Sequence, residues 1–123
     1  QIFEKEAMQI KECSFITKVE VGEESSVNLF QRVTGLDRGE SEAIIYTDSI
    51  GADLILMDEI KGRKIAVQVG LRVMGTLGIL LEAYEQGLIS KEEIFSGLDI
   101  LKNSGRYISE ALYKQLTEKI KNR

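Results

Sequence analysis

The sequence predicts a three-layer α/β/α fold, in which a short parallel sheet lies between helices. The first observation is that short apolar segments alternate with helix-like segments in the middle of the chain, as in strands joined by crossover helices. The second is that residues 54–57 are continuously apolar between polar neighbours, which is typical of a strand buried on both faces. With 123 residues, the chain is long enough for one domain and too short for two.

The individual elements follow from apolar periodicity, capping residues and glycine stops. Helices are predicted over residues 2–12, 25–33, 37–50, 59–69 and 77–86, and after the N-cap residues Ser90 and Ser109. Strands are predicted over residues 15–21, 54–57 and 71–74. The helix at 77–86 is apolar on nearly all sides, so we expect it to be central.

The composition excludes several kinds of chemistry. The chain has no His and a single Cys, which excludes the usual zinc sites, an intramolecular disulfide and His-activated nucleophiles. The lone Cys indicates a reducing, cytoplasmic compartment. Metal binding would depend on oxygen ligands, which favours Mg²⁺, Mn²⁺ or Ca²⁺. The net charge of −4 disfavours non-specific nucleic-acid binding, and no apolar segment approaches the roughly 20 residues of a membrane helix.

Asp58 directly follows the apolar strand at 54–57. In open α/β sheets, ligands bind beyond the carboxyl ends of the strands, so this carboxylate could hold a cation. Alternatively, Asp58 caps the helix that follows, since Asp is a favoured N-cap. Glu59 is either a second metal-facing acid or the first-turn acid that a helix dipole favours.

Glu40 opens the third predicted helix, three residues after the predicted N-cap Asp37. A capping box with Asp37 would explain it. However, Glu40 is in register with Ala43, Thr47 and Ile50, and it therefore extends the stripe that faces the core. A charge in that position needs a partner or a metal.

Two further groups of residues could bind anions. Lys61, Arg63 and Lys64 could contact phosphate groups, although a solvated basic face is the more common explanation. Gly75 and Thr76 begin a helix, whose N-terminus could bind an anion. This stretch matches no nucleotide-binding motif, and we expect Thr76 to be an ordinary N-cap.

Several short motifs occur in a characteristic order. They are Leu36-Asp37-Arg38-Gly39-Glu40, Glu42-Ala43-Ile44, Gly51-Ala52-Asp53-Leu54, Asp58-Glu59, Gly62-Arg63, Gly70-Leu71, Gly75-Thr76-Leu77-Gly78 and Ile108-Ser109-Glu110-Ala111-Leu112-Tyr113. Together they resemble a PIN-domain-like family related to the VapC toxin ribonucleases, from about residue 7 to the end. The resemblance implies an α/β/α fold whose acids, at the carboxyl edge of a parallel sheet, hold Mg²⁺ or Mn²⁺ for RNA cleavage.

The resemblance also implies roles for particular residues. Glu40 and Asp58 match two of the family's catalytic, metal-binding acids, and Glu59 would be an accessory metal ligand. The nucleic-acid contacts would come from the basic residues Lys61, Arg63 and Lys64. The implied protein is a cytoplasmic, Mg²⁺- or Mn²⁺-dependent endoribonuclease of toxin–antitoxin type, with RNA as its substrate and an antitoxin as its partner.

The chain departs from the family pattern at its N-terminus. The family begins with a strand that carries an aspartate, and the acids Glu4, Glu6 and Glu12 do not match it. We therefore expect one PIN-like domain over residues 1–123, truncated at its N-terminus, which is a fragment, a homo-oligomer or an inactive homologue. The alternative function is a non-catalytic PIN-like interaction or dimerisation module. A receiver-like phosphoacceptor domain is disfavoured, because the acidic pair and lysine that it needs are not evident.

Overall fold

The computed structural model describes residues 4–105 and 108–122, and these ranges form seven helices and a short parallel sheet. The helices are α1 (Glu4–Glu12), α2 (Glu24–Thr34), α3 (Arg38–Ile50), α4 (Ile60–Gln68), α5 (Thr76–Glu85), α6 (Lys91–Ser104) and α7 (Glu110–Lys121). The strands are β1 (Ile55–Leu56) and β2 (Val73–Met74). They run parallel, with α4 between them in the chain, so the predicted α/β fold is confirmed.

Most of the buried apolar side chains form two separate clusters. The first joins α3, β1 and α4 through buried side chains: Leu36, Ile44, Ile55, Met57 and Ala66. The second joins α6 and α7, and half-buried side chains of α5 pack against it; its buried members are Ile94, Leu98 and Ile120. We call α2 to β2 the sheet half and α5 to α7 the helical half.

Several helix termini follow the predicted capping signals, although the predicted capping box of Asp37 and Glu40 is found only as the bond to Asp37. Asp37 accepts a hydrogen bond from the Glu40 N–H at 2.8 Å and begins α3. Gly51 ends that helix with φ of 62°, a left-handed conformation that glycine adopts without steric cost. Ser90 and Glu93 form the predicted capping box of α6. None of the helices in the described ranges is long and apolar enough to span a membrane.

The strand predicted at residues 15–21 is not found. These residues contain no strand, and Phe15 and Ile16 are exposed. The Ile16 N–H instead donates to the Cys13 carbonyl in a turn. The apolar pattern supplied suitable side chains, but a strand also needs a neighbour that completes its hydrogen bonds. The predicted helix at 2–12 corresponds to α1 from Glu4 onwards, and residues 2 and 3 lie outside the described ranges.

The predicted burial is wrong at three places. β1 is buried on one face only: Ile55 is 4% exposed, but Leu56 is 59% exposed. Ile50 is the last residue of α3 and is exposed, so the inward stripe of that helix passes through Ser41, Ile44 and Thr47. Helix α5 has no fully buried residue, because it lies against the second cluster on one side only.

Candidate functional site

The candidate site lies where β1 and β2 end. Because parallel strands end at the same edge of a sheet, the residues that follow them are neighbours in space. Met57 and Asp58 follow β1, and Gly75 and Thr76 follow β2. The Met57 N–H still donates to the Met74 carbonyl at 3.0 Å, which keeps the two chain segments together up to Asp58.

Asp58 is held by two hydrogen bonds from one residue. The Thr76 N–H donates to Asp58 Oδ1 at 2.7 Å, and the Thr76 hydroxyl donates to Asp58 Oδ2 at 2.6 Å. Asp58 therefore satisfies the N-terminus of α5, across the sheet edge, whereas Glu59 occupies the N-cap position of α4. The prediction that Thr76 is an N-cap is wrong: Gly75 has that position and lacks a side chain, so Asp58 supplies the acceptor.

Gly75 permits this arrangement because it leaves room for two charged groups. A Cβ at position 75 would lie 2.9 Å from Asp58 Oδ1 and 3.5 Å from Arg63 Nη1. Asp58 and Arg63 border a cleft of about 540 Å³ between the two halves of the molecule. Apolar side chains from both halves form much of its wall: Ile60, Val73, Met74, Leu77, Leu81 and Leu112.

Glu40, which belongs to α3, packs against the N-terminal end of α4. A Cβ at Gly62 would lie 2.6 Å from Glu40 Oε2 and 2.5 Å from the Met57 sulfur, so only glycine leaves space for both groups. Glu40 Oε2 is buried and has no hydrogen-bond partner among the described residues. Burial raises the pKa of the Glu40 carboxyl above its ordinary value, and the negative charges of Asp37 and Glu59 raise it further.

The predicted acids thus meet in two groups around the start of α4. Glu40 lies within electrostatic reach of Glu59, whereas Asp58 is bound to Thr76. Within residues 4–105 and 108–122, no three Asp, Glu, Cys or His side chains lie close enough together to hold a metal ion.

The chemical type of these residues, carboxylates with oxygen ligands, suits a divalent cation. The unpartnered oxygen of Glu40 and the accumulated negative charge are features that a hard cation would relieve. The described acids fall short in number, since such ions take six or more oxygens. The remaining oxygens would come from water, substrate phosphates or other protein groups.

The predicted basic residues do not all face the cleft. The Lys61 ammonium lies beside Gly35, 2.8 Å from where a Cβ would stand, at the C-terminus of α2. A helix C-terminus favours a positive charge, which accounts for Lys61 without a ligand. Arg63 borders the cleft with Asp58, and Arg63 and Lys64 both line a neighbouring groove. Contact of all three with nucleic acid stays a prediction.

Two residues of the site were not predicted to serve it. The sequence predicts only a capping role for Thr76, and Gly62 occurs only within the motif Gly62-Arg63. A helical glycine beside predicted acids is a usable signal, because glycine in a helix interior costs about 1 kcal/mol and therefore needs a reason. The pairing of Thr76 with Asp58 has a weaker signal, since it depends on how the two strands align.

The chain is an α/β domain in which Asp58 and Glu59 directly follow a strand of a parallel sheet. Proteins of this class can present carboxylates to a cation at the sheet edge. A family model described as a PIN domain, DUF3368, matches residues 3–122. The match covers nearly the whole chain, so the chain belongs to this PIN-domain family. No curated protein and no solved structure matches it. The relationship to VapC toxins stays a prediction.

Proposed function

We propose that this chain acts in a PIN-type endoribonuclease that depends on Mg²⁺ or Mn²⁺. The observation that carries the proposal is the buried, unpartnered oxygen of Glu40, which lies against Gly62 in the first turn of α4, the helix that follows Asp58. Such an oxygen is costly to bury unless it binds something, and a cation is the ligand that its charge favours.

Glu40 and Asp58 would hold the cation, and Glu59 would serve as an accessory ligand. When bound, a divalent ion in such a site activates water and stabilises the charge that develops on phosphate oxygens. Arg63 borders the cleft beside Asp58, where its guanidinium can bind a phosphate with two hydrogen bonds. A cationic contact of this kind is needed, because a chain with a net charge of −4 repels a polyanion overall.

The finer parts of the proposal concern the setting of the activity. We infer a toxin–antitoxin system, in which RNA is the substrate and a small antitoxin protein is the partner. We also infer a homo-oligomer and a cytoplasmic location. The support for these is the motif resemblance together with membership of the PIN-domain family.

The test is Mn²⁺-dependent cleavage of a mixed RNA pool by the chain and by Asp58→Asn and Glu40→Gln. We expect each variant to lose at least about 100-fold in rate, more than the loss of an outer-shell group causes. Asp48→Asn is the matched control, because Asp48 is an exposed acid at the far end of α3 and should not matter. Cleavage that survives both site substitutions would contradict the proposal.

The alternative is a non-catalytic PIN-like module for protein interaction or dimerisation. The observation in its favour is that the described residues contain no cluster of three acids suited to a metal. It predicts a folded chain that neither binds Mn²⁺ nor cleaves RNA, and that forms a stable oligomer in light scattering. A monomer that cleaves RNA would contradict it.

A further inference from the structure

We propose that the groove beside α4 binds an amphipathic helix of a protein partner, one that carries acidic side chains between apolar ones. The groove has a volume of about 440 Å³ and is lined by Ile60, Arg63, Lys64, Val67, Gln68 and Val73. The inference goes beyond the proposed function, because it concerns protein recognition and needs neither a bound metal nor nuclease activity.

The α4 wall of the groove is a regular stripe along the helix. Ile60, Arg63, Lys64 and Val67 recur at intervals of three and four residues, so they share one face of α4. Ile60 is 69% exposed and Val67 is 61% exposed, although both side chains are aliphatic. Anchors at positions i, i+3, i+4 and i+7 are the spacing at which two helices contact each other. This face of α4 therefore has the spacing of a helix-binding surface.

The charge of the groove is positive and uncompensated. Helix α4 contains three cations and no acid, in a chain that has 20 acidic and 16 basic residues. Among the described residues that line the groove, none is acidic. Arg63 and Lys64 form no ion pair within the described ranges, whereas Arg38 is paired with Glu24 and Glu42. Cations between two apolar side chains are complementary to acids between two apolar side chains, which is why an acidic amphipathic helix fits.

The same features argue against two other occupants. A second copy that packed against α4 through the same face would bring Arg63 and Lys64 against their own counterparts, and like charges across an interface are unfavourable. Single-stranded RNA is held in large part by bases that stack on aromatic side chains. The apolar walls of this groove are Ile60, Val67 and Val73, which are aliphatic and suit the apolar side chains of a protein.

The test measures the binding of a labelled synthetic helical peptide by fluorescence anisotropy, without metal or RNA. The peptide has leucines seven residues apart with glutamates between them, and a second peptide has lysines in place of the glutamates. We expect the chain to bind the glutamate peptide at least about 10-fold more tightly than the lysine peptide. Lys64→Glu and Val67→Asp should each weaken binding of the glutamate peptide by about 10-fold. Lys64→Glu should also reverse the preference in favour of the lysine peptide, which a loss of fold would not do.

Lys91→Glu is the matched control. Lys91 is an exposed lysine at the start of α6, a helix that contributes none of the described residues lining the groove, so the same charge change should leave binding unaltered. Lys64 and Val67 are exposed and line the groove but not the cleft at Asp58, so we expect both variants to fold. Thermal unfolding checks this, and if Val67→Asp is unfolded, the reversed preference of Lys64→Glu decides the question.

Three results would overturn the inference. The first is a glutamate peptide that does not bind, or that binds equally well to the chain and to both groove variants. The second is a chain that dimerises in analytical ultracentrifugation and becomes monomeric in Val67→Asp, because a second copy would then occupy the groove. The third is a labelled single-stranded RNA that binds in place of the peptide and loses affinity in both groove variants. A chain that distinguishes the two peptides but cleaves no RNA would contradict the proposed function and leave this inference intact.

Discussion

At the scale of single residues, Glu40 has a carboxylate whose negative charge is unfavourable in the folded state. Its carboxylate reaches the surface of α4 because position 62 has no side chain, and one of its oxygens is buried there without a described partner. Desolvation and the neighbouring charges of Asp37 and Glu59 favour the protonated form. The ionised form of Glu40 therefore opposes folding.

This charge makes stability depend on pH in a defined direction. The folded-state pKa of Glu40 is raised, so the folded chain binds the proton more tightly than the unfolded chain does. The cost is absent below the unfolded value of about 4.5 and grows as pH rises through the folded value. We expect Glu40→Gln to raise the melting temperature at pH 7, because it removes the unfavourable negative charge. The rise should be only a few degrees, since partial exposure screens the repulsion.

Thermal unfolding between pH 4 and pH 7, without metal, checks this prediction. The gain from Glu40→Gln should vanish near the acidic end, where Glu40 is protonated in both states. Asp48→Asn, which changes an exposed acid in the same helix, should show no such pH-dependent gain. A lower melting temperature for Glu40→Gln at pH 7 would mean that the carboxylate has a stabilising partner.

Some residues of the site could be predicted and others could not, for a physical reason. Asp58 and Glu40 could be proposed from the sequence because strand ends and helix starts have local signals in it. The role of Thr76 was missed because its partner lies 18 positions away and depends on the alignment of β1 with β2. The close packing of Gly62 against Glu40 likewise depends on how α3 and α4 meet, which no short pattern encodes.

At the scale of elements, β1 illustrates the difference between an apolar segment and a buried one. Residues 54–57 are all apolar, yet the exposed fraction alternates between 4% at Ile55 and 59% at Leu56. The alternation is the period of two of any strand, and only the face towards α3 and α4 is covered. The apolar run correctly predicted the strand but could not show how many of its faces are covered.

The two neighbouring residues of β1 provide a matched pair. We expect Ile55→Ala to lower the free energy of unfolding by about 2–4 kcal/mol, because it leaves a cavity in the first cluster. Leu56→Ala should change it by less than about 0.5 kcal/mol, as is usual for an exposed side chain. Urea unfolding of both variants measures the difference. Equal losses would show that the Leu56 face is covered in solution, as an oligomer or a further strand would do.

Residues 15–21 show that local sequence signals predict helices more reliably than strands. Their apolar residues and the glycine that follows predicted a strand, and the capping signals predicted α3 and α6 by the same kind of local evidence. The helices are confirmed because a helix satisfies most of its hydrogen bonds within itself. The strand is not, because its hydrogen bonds need a partner from elsewhere in the molecule.

At the scale of the whole molecule, the two apolar clusters divide the chain at the site. The most extensive packing lies within the halves, between α2 and α3 in one and among α5, α6 and α7 in the other. Between the halves lie the cleft and the hydrogen bonds from Thr76 to Asp58. A site in this position is sensitive to any relative motion of the halves, which is a common property of ligand clefts.

Because the two apolar clusters are separate, a substitution that destabilises one cluster should increase local unfolding mainly in the half of the molecule that contains it. We expect Leu98→Ala to speed hydrogen exchange in α6 and α7 more than in α3, and Ile44→Ala to have the opposite effect. Both residues are at most 1% exposed and lie in different clusters, so each substitution creates a comparable cavity, worth about 2–4 kcal/mol, in one half only. Hydrogen exchange measured by mass spectrometry resolves the helices. If both variants speed exchange equally along the chain, the halves unfold as one unit, and the contacts across the cleft are strong enough to couple the two cores.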